Sequence, residues 1–412
     1  MDVEVDLRTS VHEFASTVLR PAATALDRLP DPAAVVAERS PLWRALRQAW
    51  RLGWHKAALP ATVGGLGLDG LGQHVVLEEL GWGSADLATA IAVAGLPAAT
   101  AAASGIPDLI DRFVTPFVDD VEARVIGCWA ITEPGHGSDA LAIGTPHFEH
   151  PRVSADVVAR RDRDYWVISG RKADWVANGT IATVALTFLG VDPGRGMAGG
   201  GVALVPLHIR GVSRGAPVDK LGQRALDQAG LVFDDVRVHE SCLVTDPTLY
   251  EFVLDRTIAW VSAATAAIFT GVARAAYDAA LDYARDREQG GKPICEHQLV
   301  QKRLFDMFAR VEACRAFSRA ALVRTHATVP PPTEYAIAAK TFCTEAALAV
   351  ASDAVQLFGG NGLSRAYPVE KLFRDARTAL IQNGTSDVLA LVAAPRLLAS
   401  GRTTRVSAPG AA

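Results

Sequence analysis

The sequence predicts an α+β chain built in three parts, helices first, strands in the middle and helices again. Three observations predict it. Up to about residue 125, apolar residues recur at three-and-four spacing, as in VHEFASTVLRPAATALDRL and PLWRALRQAWRLGW. Over 126–243, short β-branched runs alternate with turn residues, as in YWVISGRK, TVALTFLGV, GVALVPLHI and GLVFDDVRV. Over 244–400, long helical segments return, beginning with LYEFVLDRTIAWVSAATAAIFTGVARAAYDAALDYARDRE. These shifts of texture give an N-terminal helical domain (1–125), a middle β-domain (126–243) and a C-terminal helical domain (244–400). The tail, 401–412, has a composition that predicts disorder.

Within the first part, LPATVGGLGLDG is a Gly-rich connection and GQHVVLEELGWGSADLATAIAVAG returns to helix. ATAIAVAGLPAATAAASG (88–105) is the most apolar stretch. Its Gly, Pro and many Ala read as a buried helix pair rather than a membrane span. In the middle part, VDPGRGMAGGG (191–201) is expected to be a flexible loop between two strands. It lacks the GKS or GKT ending of a phosphate-binding loop. In the last part, VPPPT (329–333) separates the second long helix from the third.

Bulk composition narrows the function. Half of the 412 residues are apolar, 21% are charged and the net charge is −4. That is ordinary for a globular enzyme and offers no broad basic face, so no nucleic-acid partner is expected. The N-terminus, MDVEVDLRTSVHEF, is acidic and has no apolar core segment, so no signal peptide and no membrane attachment are expected. The five cysteines are scattered, odd in number and without a CxxC pair. They predict no disulfide framework and no metal site, and a cytoplasmic location.

Five stretches could carry chemistry. CWAITEPGHGSDA (128–140) offers Gly135 and Gly137 for close backbone approach beside Thr132, Ser138 and Asp139. It suits the polar edge of a planar ligand, or is a tight loop with an Asx or Ser/Thr turn. In KADWVANG (172–179), Trp175 could lie flat on a ring system, or could be core. QLFGGNGLSRAYPVEKLFRDAR (356–377) follows a long helix and puts Gly-rich backbone where phosphate binds well, or is a glycine helix stop. RDREQGGKPICEHQ (285–298) places Arg287 at a helix end, where it could grip a pyrophosphate or be solvated. LIQNGTSDVL (380–389) reads locally as an Asn-Gly turn followed by a Thr or Ser helix cap.

Together and in this order, these stretches resemble the acyl-CoA dehydrogenase family, over roughly residues 10 to 400. ITEPGHGSD matches the family's first signature; QLFGGNGL, YPVEKLFRDAR and NGTSD match the second; GQRALDQAGLVFDDVRV resembles the strand before the C-terminal helices. The resemblance implies a C-terminal four-helix bundle, a homo-oligomer (dimer or tetramer), and FAD held between the β-domain and the C-terminal helices. It implies that Trp129, Ile131, Thr132 and Ser138 line the flavin, and that Trp175 covers it, with Ala177 close by. Arg287, Gln298 and the run from Gln356 to Gly359 and Gly360 would hold the pyrophosphate and adenosine, partly across a subunit interface. Thr385 and Asp387 would contact FAD again. Ser138, Gln382, Asn383 and Gly384 would face the substrate, with the Asn383 N–H on the thioester carbonyl.

Three departures from the family pattern stand out. The Thr two residues after the covering Trp is here Ala177, with an extra residue (Ala173 or Asp174) before the Trp. An aromatic after the helix-end Arg is replaced in Gly290-Gly291. Asn383 occupies the place of the family's catalytic Glu, and Gln382 that of the aromatic before it. The resembling reaction takes the α-proton of an acyl thioester with a positioned base, and an amide has no useful basicity at pH 7. The family's alternative base position falls near Val261, which is no carboxylate. Asp255, Glu251 and Asp174, in that order, are the candidates for a relocated base.

The expected function is an FAD-dependent oxidoreductase of an acyl thioester carried on CoA or on a carrier protein. Its acyl group is expected to be polar or functionalised, since Gln382 and Asn383 make the pocket polar. An electron-transferring flavoprotein or oxygen is the expected acceptor, and secondary metabolism would suit so atypical a member. The alternatives are a flavin oxidase or oxygenase on the same fold, and a catalytically silent thioester binder.

Overall fold

A computed structural model describes residues 2–400; the tail expected to be disordered lies outside the described residues. The N-terminal part folds as helices α1 (Asp2–Phe14), α2 (Arg20–Asp27), α3 (Pro41–Arg51), α4 (Gly70–Gly83), α5 (Ala85–Ala94) and α6 (Leu96–Ser104). Their starts are capped by polar side chains. Ser40, Asp69 and Ser84 accept from the N–H groups of Leu42, Gly72 and Leu87, and Pro41 opens α3. The Ala-rich stretch is the helix pair α5–α6, meeting at Gly95. Ala85–Ser104 and Tyr250–Asp286 are long and apolar enough to cross a membrane, but both are mostly buried against the rest of the protein.

Eight strands follow: β1 (Gly127–Ala130), β2 (Val158–Asp162), β3 (Tyr165–Lys172), β4 (Val184–Gly190), β5 (Gly200–Pro206), β6 (Val212–Arg214), β7 (Leu231–His239) and β8 (Leu243–Thr245). They form one sheet in the order β6-β7-β3-β2-β4-β5-β8, and β1 pairs in parallel with β4. Strand β4, VALTFLG, is buried along its whole length, as its unbroken apolar run requires. The 191–201 segment is not a flexible loop. Pro193–Gly199 forms short 3₁₀ turns kinked at Gly196, started by the Asp192 carboxylate on the Gly194 N–H, and Gly196 and Gly199 pack into the interior.

The C-terminal part consists of α7 (Tyr250–Asp286), α8 (Gln298–Ala327), α9 (Thr333–Phe358), α10 (Val369–Thr378) and α11 (Ser386–Ser400). Helix α7 is its axle, packed on α8, α9 and α4. The α4–α7 crossing is backbone to backbone. A Cβ on Gly81 would fall 2.1 Å from the Ile268 carbonyl oxygen, and one on Gly271 would fall 2.1 Å from that of Glu78. Two carboxylates, Glu78 and Glu79, are buried beside this crossing. Arg274 reaches both at 2.7 Å, Arg315 Nε donates to Glu78 at 3.0 Å, and Arg8 donates to Glu79 at 2.7 Å. The crossing ties the N-terminal helices to the bundle. It thereby fixes where α7 meets the turn between α10 and α11.

Candidate functional site

That turn is built by its own sequence first. The N–H groups of Ile381 and Gln382 both return to the Thr378 carbonyl, closing the end of α10. Asn383 and Gly384 then take positive φ, +57° and +91°. Asn and Gly are the residues that occupy this left-handed region at least cost. Gly is required at 384, where a Cβ would lie 2.8 Å from Leu141 Cδ1. Thr385 Oγ1 accepts the Val388 N–H and starts α11.

Distant segments then hold the turn. Thr265 of α7 accepts a hydrogen bond from Asn383 Nδ2 at 2.8 Å. Thr265 donates its own hydroxyl proton to the Val261 carbonyl at 2.6 Å, so it meets the amide as an acceptor. Asn383 Oδ1 has no hydrogen-bond partner among the described residues. The Thr385 N–H donates to Ser138 Oγ at 2.9 Å, joining the two signature stretches. Lys340 of α9 donates from Nζ to the Gly384 carbonyl. Gln382 accepts from Gln223 Nε2 at 2.7 Å and donates to Thr89 Oγ1 at 3.3 Å. The N–H of Asn383 makes no hydrogen bond among the described residues.

Lys340, Thr265, Gln223 and Thr89 were not singled out in the sequence, nor was Ser262. Ser262 lies one turn before Thr265 on α7, fully buried, with a hydroxyl that has no partner. Lys340 carries the one signal that could have found it, a lysine in an otherwise apolar helical run, AIAAKTF. Burial pushes its ammonium down to about 7.

None of the three acids considered as relocated bases is brought to Asn383. Asp255 lies ten residues before Thr265 on α7, about 15 Å along the axis. It faces α11, with Arg396 Nη1 2.7 Å away as an ion pair, and it accepts from Thr333 Oγ1 at 2.9 Å. Glu251 is a further turn away on the same helix. Asp174 pairs with Arg171 at 2.9 Å, next to Gly230.

The first signature loop is pinned from beneath. Glu133 and Lys172, both buried, pair at 2.6 Å, and Lys172 also donates to the Ile131 carbonyl at 3.1 Å. Glu133, His136 and Asp156 come close enough to hold a cation. Two of them already have protein partners: Glu133 holds Lys172 and the Val157 N–H, and His136 pairs with Asp139 at 2.7 Å.

The residues expected around a flavin fall into two groups. Trp129 and Ile131 are buried and Thr132 half-buried; the indole N–H of Trp129 has no partner. Trp175 is 57% exposed, its carbonyl held by Gln228 Nε2, and half-buried Ala177 bridges to the same Gln228. An indole left this open, next to a buried polar loop, fits a stacked planar ring. The second group, Arg287, Gln298, Gln356, Gly359 and Gly360, is exposed at the far ends of α7, α8 and α9. Cβ atoms on Gly359 and Gly360 would meet nothing within 4 Å, leaving an open backbone cradle. Arg287 lies about 33 Å along α7 from Thr265, so one chain does not bring it to the turn. Asp387 is exposed in the first turn of α11.

The N-terminal, middle and C-terminal domains of acyl-CoA dehydrogenase match residues 2–120, 128–236 and 253–398. The short-chain specific mitochondrial acyl-CoA dehydrogenase of Bos taurus is 33% identical over 96% of this chain and 90% of its own. The chain belongs to the acyl-CoA dehydrogenase family. Another similar member is the 3-(aryl)acrylate reductase of Clostridium sporogenes (strain ATCC 15579), 27% identical over 95% of this chain and 97% of that one. Among solved structures, butyryl-CoA dehydrogenase from Megasphaera elsdenii is similar with a TM-score of 0.84 and 27% identity, covering 97% of this chain and 98% of that one. Acyl-CoA dehydrogenase architecture is thus present from α1 to α11, helical at both ends with the sheet between.

Proposed function

We propose that this family member is an FAD-dependent oxidoreductase of acyl thioesters in which residue 383 binds the acyl group instead of deprotonating it. The carrying observation is the Asn383 turn. It has an unpaired backbone N–H, an amide fixed by Thr265, and no carboxylate in contact. Trp129, Ile131, Thr132, Ser138 and Trp175 would hold the flavin, and Arg287, Gln298 and the Gln356–Gly360 run its phosphate and adenosine end. When bound, FAD supplies the two-electron acceptor for hydrogen leaving the acyl chain.

The chain's own groups do the rest. The Asn383 N–H donates a hydrogen bond to the thioester oxygen and stabilises the charge growing there, which acidifies the α-carbon. Asn383 Oδ1 and the unpartnered Ser262 hydroxyl offer hydrogen bonds to a polar acyl substituent, which a plain alkyl chain would leave unmet. With an amide at 383, the reaction suits an acyl group already activated at its α-carbon, or one that loses CO₂. The thioester arrives on CoA or on a carrier protein's phosphopantetheine arm, and electrons leave to an electron-transferring flavoprotein or to oxygen. Phe305 and Phe308, neighbours one turn apart on α8, are 67% and 46% exposed, an apolar patch that supports assembly with further copies of the chain.

The test is anaerobic mixing with polar and plain acyl-CoA and acyl-carrier thioesters while the flavin band is followed. Bleaching by functionalised thioesters is expected, and fast bleaching by a plain fatty acyl-CoA would overturn the reading. Binding of thioesters with no bleaching by any of them would favour the silent-binder reading, to which the missing carboxylate also points.

A further inference from the structure

Lys340 sits in the middle of α9 among Ala336, Ile337, Ala339 and Cys343, all buried, and is itself fully buried. A position with these neighbours is apolar by default, because taking an ammonium out of water is costly without a paired charge. Among the described residues the other fully buried lysine, Lys172, obeys that rule with Glu133 as its partner, and the partly buried Lys371 pairs with Asp86 and Asp375. Lys340 pairs with no carboxylate among the described residues, and its single hydrogen bond goes to the Gly384 carbonyl. An expensive group with one contact, placed on the active-site turn, calls for a role at that contact.

The contact is specific. The Gly384 carbonyl and the Thr385 N–H belong to one peptide unit. Lys340 holds its oxygen from the α9 side, and Ser138 holds its N–H from the first signature loop. A peptide unit gripped at both polar ends resists rotation, which restrains ψ of Gly384 directly and, through it, the left-handed turn at Asn383 and Gly384 that leads into it. Those conformations decide where the unpaired N–H of Asn383 points.

We propose that Lys340 is a positioning residue: with Ser138 it sets the plane of the 384–385 peptide and so aims the Asn383 N–H at the thioester carbonyl. This role rests on the reading of the turn as a thioester site. Its test separates the two. Anaerobic titration of the FAD-loaded enzyme compares 3-hydroxybutyryl-CoA with the matching thioether S-(3-hydroxybutyl)-CoA, which lacks only the carbonyl. The wild type should prefer the thioester about tenfold, the worth of one well-placed hydrogen bond. Lys340→Met should lose that preference while binding the thioether as the wild type does, and Ser138→Ala should lose it too. General loosening of the fold would weaken both ligands equally, and that result would overturn the role. If the wild type prefers the thioester and Lys340→Met keeps the preference, Lys340 is only structural. If the wild type itself shows no preference, the thioester reading fails and the role falls with it.

Discussion

Of the places where this molecule buries charge, two do so in opposite ways. At the α4–α7 crossing, Glu78 and Glu79 meet three guanidinium groups, from Arg8, Arg274 and Arg315. Burial alone would raise both carboxyls, but the facing guanidiniums win and hold them below the usual carboxylate range. At the α10–α11 turn, Lys340 has one carbonyl and Asn383 keeps a free N–H. The crowded cluster leaves little for a ligand and serves the joint between helices. The sparse one keeps polar capacity in reserve, as the proposed thioester site requires.

The contrast can be broken first at the cluster. Arg274→Met takes the shared guanidinium from two buried carboxylates, leaving Arg315 on Glu78 and Arg8 on Glu79, and should cost about 3 kcal/mol in urea unfolding. At the turn, Asn383→Glu restores a carboxylate on a prearranged backbone. Bleaching by plain butyryl-CoA should then rise about 100-fold, within the usual range for a positioned base. An unchanged rate would mean that residue 383 does not face the α-carbon. Thr265→Val removes the amide's anchor at constant shape and should cost about 1 kcal/mol of stability, read from thermal melts.

Lys340→Met should change stability least, by less than about 1 kcal/mol at pH 7, because relief of burial offsets the orphaned Gly384 carbonyl. Its signature is in the pH profile. Burial lowers Lys340 from 10.5 to about 7, so between those values the unfolded chain binds more protons than the folded one. Wild-type stability should therefore rise with pH across that window, and the variant should lack this rise. The glutamate cluster gives a limb that also rises with pH, but in acid, and it reports a stabilising burial rather than a costly one. Its carboxyls are held low, so its contribution is present above their ordinary value of 4.5 and is lost as acid protonates them.

How much of this was legible in the sequence follows from the range of each interaction. Helix and strand periods are local, so the three-part order and the α5–α6 pair could be read directly. The Asn-Gly turn and the cap after it are equally local. The compact 3₁₀ turn at 193–199 was missed because its glycines suggest freedom, whereas packing against distant chain removes it. Thr265, Lys340 and Gln223 reach the turn from far away in the chain, and no spacing announces such a meeting. Asp255 looked available as a base because Arg396, which engages it, arrives only when α11 folds back.

The turn's backbone is fixed by Lys340, Ser138 and the close approach of Leu141 to Gly384, none of which touches the side chain at 383. That side chain is thus an interchangeable tool in a fixed holder. A lineage carrying this scaffold could exchange one chemistry for another by altering a single codon, without having to solve the folding problem again.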